Sequence, residues 1–209
     1  MYPTADIRLD CFLPPDAEFW VPGPEDIDDY EGFGLFQDVW PITDISVAEA
    51  AAVAREDRKL CRIVGDLARD AVDFDAVALA VQAGSADEIE GISAESLAAL
   101  GPCLTGTVAL EGLETGVAGL VYALAAAGMF PAASCRGHPE PDSWSAFPVV
   151  MFATDRSHAE ALQPLVGRNG CGFASDPLRP ELLVINGRSV QDTLRLADAV
   201  LGSIGIFRS

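Results

Sequence analysis

Apolar positions along the chain follow two rhythms, and the second half is the more regular. From the capping candidates Asp44 or Ser46 to about Val72, residues Ala50, Ala54, Cys61, Val64, Ala68 and Ala71 recur near helical spacing, which predicts a long amphipathic helix. The run Arg55-Glu56-Asp57-Arg58-Lys59 is expected on its solvated side. Phe74 to Gln82 is short, almost wholly apolar and followed by Gly84, the pattern of a strand buried on both faces. Residues 85–106 read as a polar insertion with one short helix around Ala94–Leu100. A second long helix is expected over about Val108 to Ala127, ended by Gly128 in the left-handed conformation. Gly112, Gly116 and Gly119 fall on or near one face of it. Each glycine costs a helix about 1 kcal/mol against alanine, so close backbone packing is the expected reason for them.

The remainder alternates legibly. Strands are predicted at Phe130–Cys135, Phe147–Thr154, Cys171–Ser175 and Leu182–Asn186, with helices near Ser157–Arg168 and from Ser189 onward. Ser157-His-Ala-Glu160 has the form of a capping box, Asn169-Gly170 that of a helix end, and Pro164 predicts a kink or an earlier stop. Counted from residue 74, the order is β-α-β-β-α-β plus an added C-terminal β-α. That makes the fold class α+β, with a ferredoxin-like split βαβ order. In that topology the strands at 74–82 and 147–154 are central, and Pro131 sits on an edge strand that tolerates it.

Composition adds the front of the chain. Residues 1–44 carry eleven acidic side chains against Arg8, with Pro3, Pro14, Pro15, Pro22, Pro24 and Pro41 among aromatics such as Phe19, Trp20, Tyr30 and Trp40. Proline at that density forbids long helices while the aromatics argue against simple disorder, so an irregular acidic arm packed on this chain or on another is expected. The organisation is thus an arm, 1–44, and an α+β domain, 45–209, whose strand-helix core is 74–209. A chain of 209 residues, half of them hydrophobic, buries a real core. The formal charge of −19 opposes direct binding to nucleic-acid backbones. No apolar stretch reaches the roughly 20 residues of a membrane span, and the first residues lack a secretory pattern. The five cysteines are odd in number and widely spaced, the usage of free thiols in a reducing compartment. A cytoplasmic protein without membrane contact is the expectation.

Candidate chemistry gathers in one loop. A plain hairpin between the strands ending at Cys135 and starting at Phe147 needs two to five residues, and here Arg136 through Ala146 intervene. The segment Ser134-Cys135-Arg136-Gly137-His138 combines a thiol, a cationic fork, a permissive backbone and a proton-exchanging imidazole. It predicts a site for a small anionic or polar ligand. Ser134, Arg136, Gly137 and Asp142 line it and Trp144 walls it, unless Arg136 pairs with Asp142 as a purely structural element. In the split βαβ order the loop lies beside the N-terminus of the 108–127 helix, whose free amides favour the same ligands.

Other readings use the same residues. A Cys135–His138 nucleophile pair, with Asp142 or Glu140 orienting the imidazole, makes an enzyme possible. Cys135-x-x-His138 is half of a zinc ligand pair, but His158 and Cys171 are placed elsewhere by the topology, so no metal site is expected and the cofactor is unknown. The Ser-Cys-x-Gly segment is similar to the Ser-Cys-Ser-Gly-Arg segment of the tRNA wybutosine-synthesising methyltransferase family over about five residues, with His138 where that family has arginine. That resemblance implies a tRNA substrate, against the acidic charge here, and its activity is not carried over. The acidic arm, with Asp16, Glu18, Glu25, Asp26, Asp28, Asp29 and Glu31 beside Trp20 and Tyr30, offers a different class: an interaction, inhibitor, immunity-type or nucleic-acid-mimic module that engages a basic protein partner.

Overall fold

A computed structural model describes residues 1–26, 44–83, 95, 110 and 112–208. The expected short helix at Ala94–Leu100, Cys103, the first residues of the helix expected from Val108, and the aromatics of 27–43 lie outside the described residues. The described part is α+β, with five α-helices and one antiparallel sheet of four strands: α1 Val47–Leu67, α2 Ala71–Ala83, α3 Ala118–Ala126, β1 Phe130–Cys135, β2 Val149–Ala153, α4 Arg156–Arg168, β3 Cys171–Asp176, β4 Arg179–Gly187 and α5 Val190–Gly202. None of the described helices is long and apolar enough to cross a membrane.

The front half departs from the sequence reading in one decisive place. Ser46 caps α1 in a reciprocal box with Glu49, as the pattern suggested, but the helix ends at Leu67 and a new one begins. Asp70 accepts the Asp73 N–H at 2.9 Å and so starts α2. The expected strand at 74–82 is therefore helix. A continuous apolar run does not separate a buried strand from a buried helix, and here alanines at 76, 78, 80 and 83 favour the helix. Phe74, Val77, Ala78 and Val81 pack against Leu60, Cys61 and Val64 of α1 and Val190 and Leu194 of α5. α3 is also shorter than expected: residues 112–117 form turns, and Gly116 has φ +102°. Gly119 does pack backbone to backbone, since a Cβ there would stand 3.1 Å from Ala54 Cα.

The sheet order is β1-β2-β4-β3. All five residues of β2 are buried, and β1 with Pro131 is an edge, as expected. β4 takes the central place beside β2 that 74–82 was expected to fill, so the β-α-β-β-α-β order starting at residue 74 does not hold. One sheet face, with Val150, Phe152, Phe173, Leu183 and Ile185, closes on α3, α4 and α5. Asp155, rather than Ser157, caps α4, accepting the His158 N–H at 2.9 Å, and the helix runs through Pro164 without stopping. Arm residues 1–26 pack on their own chain. Ala5 N–H donates to Arg188 O (2.8 Å), Glu18 N–H to Pro180 O (2.9 Å) and Trp20 N–H to Thr154 O (3.1 Å), and Asp10 O accepts from Phe173 N–H (2.6 Å).

Candidate functional site

The end of β1 delivers Cys135, Arg136, Gly137 and His138 to the junction of α2 and the segment leading into α3. Gly137 makes the turn possible, with φ +85°, and a Cβ there would stand 2.6 Å from the Phe147 backbone. His138 N–H then donates to Ser145 O at 2.9 Å, closing off residues 139–144 as an outward lobe. That lobe carries Asp142, which is exposed, and Trp144, which is 55% exposed. Neither lines the cavity beside the loop, contrary to expectation, and Asp142 does not pair with Arg136. Ser134 stays in β1 opposite Val150, away from that cavity.

Arg136 is the centre of a buried polar network. Its side chain has no exposure. Nε and Nη2 donate to Asp75 Oδ1 at 3.0 and 2.5 Å, and Nη1 donates to Gln82 Oε1 at 2.5 Å. Its backbone N–H donates to Glu114 Oε2 at 2.6 Å. Asp75 and Gln82 lie one above the other on α2, seven residues apart, so the misjudged segment supplies half of the site by being helical. The guanidinium is thus committed inside the protein, and removing one partner of such a buried pair costs about 3–5 kcal/mol.

His138 sits between two carboxylates. Nδ1 faces Asp75 Oδ1 and Nε2 faces Glu114 Oε1, both at 2.8 Å. Cys135 Sγ accepts the Gly137 N–H at 3.3 Å. Burial pushes the Cys135 thiol up to about 11 and Glu114 adds to the rise, against the Gly137 N–H, which favours the thiolate. A thiol held there is protonated at neutral pH and is a poor nucleophile. Glu114 Oε1, Cys135 Sγ and a His138 ring nitrogen lie within 4.8 Å of one another. The two more distant residues weighed for zinc stay apart. His158 is held in α4 by Asp155 and Phe207 O, and Cys171 opens the opposite edge strand.

The positive end expected at the long helix exists, but the protein fills it itself. Asp57, wholly buried on α1 rather than on a solvated face, accepts Gly116 N–H at 2.6 Å and Gly119 N–H at 2.8 Å. Desolvation raises its carboxyl to about 6 despite those bonds. This anchor fixes the 114–119 segment and so the place of Glu114.

Beside the network lies a cavity of about 210 Å³. Pro3, Ala5, Phe74 and Val190 form its apolar walls, Asp75 and His138 its polar end, and Arg188 and Ser189 its other polar side. Asp75 Oδ1 takes all three bonds from Arg136 and His138, and Oδ2 has no hydrogen-bond partner among the described residues. Sequence reasoning missed Asp75, Gln82 and Glu114, whose only signal was an acid within each of two apolar segments. No family model matches the chain, and no curated protein or solved structure is significantly similar to it.

Proposed function

We propose that the protein binds a small polar molecule in the cavity between arm residues 3–5, the start of α2, the 136–139 turn and the start of α5. The observation that supports this reading is the Arg136–Asp75–His138 assembly at one end of an otherwise apolar pocket, with Asp75 Oδ2 free to accept a hydrogen bond. Ligand sites are commonly apolar with a few fixed polar groups, and drug-sized ones occupy roughly 300–1,000 Å³. The ligand here is accordingly smaller.

Its chemistry follows from what the guanidinium does. Arg136 spends its donors on Asp75 and Gln82 and pairs with Glu114 Oε1 at 3.6 Å, so it fixes the wall and offers no charge to an anion. Asp75 instead favours a ligand with an amine or amide N–H at the deep end, and Arg188 an acceptor at the mouth. The test is a thermal-shift series with small primary amines and amides on the wild type and on Ala5→Leu, which fills the cavity without touching the network. Stabilisation of the wild type alone supports the reading. Equal stabilisation of both proteins, or of neither, rejects it.

A further inference from the structure

The strongest cluster outside the cavity is on the other side of the His138 ring. We infer that Glu114, Cys135 and His138 form a binding site for one divalent transition-metal ion of the zinc class. The three donors are a carboxylate oxygen, a sulfur and an imidazole nitrogen, the mixed set that suits a borderline-soft ion, and they already lie within 4.8 Å of one another. Ligands about 2.0–2.3 Å from a tetrahedral ion stand about 3.3–3.8 Å apart, so small side-chain adjustments suffice.

Hydrogen bonding assigns the facing atoms. An imidazole nitrogen beside a carboxylate donates its proton, so Asp75 Oδ1 at 2.8 Å holds the proton of His138 on Nδ1. Nε2 lies 2.8 Å from Glu114 Oε1, so a metal ion that takes Nε2 in place of a proton meets Glu114 as its neighbouring ligand. Each donor also has its own outer partner: Asp75 for His138, the Arg136 N–H for Glu114 Oε2, and the Gly137 N–H for Cys135 Sγ.

Charge balance points the same way. With the metal in place, Asp75, Glu114 and a Cys135 thiolate bring three negative charges, and Arg136 with a divalent ion brings three positive ones. Buried charge is tolerated when it is compensated in this way. The side chains of Glu114 and His138 keep 25% and 20% exposure, which gives the ion an entry path. A second grouping, Asp75, His138 and Glu140, is the poorer choice because Asp75 Oδ1 is already bonded to Arg136 and Glu140 is exposed. Neither Glu114 nor Cys135 lines the cavity; His138 borders both sites, and the cysteine and cobalt readouts report on the metal site alone.

The experiment is a titration of the chelator-stripped full chain with Co²⁺ alone, followed by its visible and near-ultraviolet spectra. One equivalent is expected to give the intense visible bands of a four-coordinate ion together with a thiolate-to-cobalt charge-transfer band. Cys135→Ser loses the charge-transfer band, Cys61→Ser and Cys171→Ser keep it, and Asp75→Asn weakens binding about 10–100-fold while retaining it at saturation. In the unmodified protein, Zn²⁺ protects Cys135 from alkylation, read by peptide mass spectrometry, so the result does not depend on any variant folding. Absence of the cobalt bands, their persistence in Cys135→Ser, or protection of another cysteine instead overturns the site.

Discussion

Asp57 grips the stretch 114–119 from α1, and Glu114 is the first residue of that stretch, so the two carboxylates share one segment and serve different ends. Asp57 has no exposure, and its two oxygens accept backbone N–H groups from Gly116 and Gly119. Every bond it makes is internal, so it is an anion that the fold keeps for itself. Glu114 is a quarter exposed, with one oxygen on the Arg136 N–H and the other against a histidine nitrogen. A carboxylate satisfied on all sides by backbone is architecture, whereas one that faces an imidazole nitrogen near solvent can exchange that partner for a metal ion.

The comparison breaks if the two residues behave alike. Asp57→Ala orphans two buried N–H groups and is expected to cost about 2–5 kcal/mol in urea unfolding. Glu114→Gln keeps an acceptor for Arg136 and is expected within about 1 kcal/mol of wild type, with its effect appearing in metal binding instead. Similar losses of stability from both changes would place Glu114 with the architecture.

Acidity sharpens the same contrast. Because burial raises Asp57 to about 6 from 3.8, the folded chain holds this proton more tightly than the unfolded one. Its ionisation therefore costs stability above pH 6, on the order of 3 kcal/mol, and that cost is relieved as pH falls from 6 toward 4. Asp57→Asn is expected to flatten this part of the stability profile. A wild-type profile that rises with pH across the window relative to the variant contradicts the assignment.

The turn that carries the site is the next test. Gly137→Ala forces a Cβ against the Phe147 backbone at positive φ, a strain of about 1–3 kcal/mol. At neutral pH the metal-free Cys135 thiol, pushed up to about 11, is about one part in ten thousand thiolate. Exposed Cys11 should therefore react with iodoacetamide well ahead of it, and fast labelling of Cys135 would revive the nucleophile reading. The smallest effects belong to the lobe: Asp142→Ala and Trp144→Ala should stay within about 0.5 kcal/mol and leave binding unchanged.

How far the sequence spoke depended on periodicity. β1, β2, α4, β3, β4 and α5 were legible because apolar periodicity and the bounding Gly128 and Gly170 agreed about them, although the cap of α4 is Asp155 and not Ser157. The run at 74–82 was not, because an unbroken apolar stretch fits a buried strand or a buried helix equally, and the deciding cap, Asp70, is one acid among many. That single error concealed the site's second half. On a strand, Asp75 and Gln82 point to opposite faces; on a helix they share one and meet Arg136. Cys135, Arg136, Gly137 and His138 were visible from their chemistry alone, but Asp142 and Trp144 were chosen by closeness in sequence, which says nothing about where a closed lobe points.

Ligand binding is proposed in the cavity beside Asp75 and His138. Amide chemical-shift mapping of the ¹⁵N-labelled chain during addition of small primary amines and amides tests it most directly. Shifts are expected only at Ala5, Phe74–Asp75, Arg136–His138 and Arg188–Val190. Shifts centred on 140–145 or along arm residues 10–20, with the cavity residues unmoved, would contradict it.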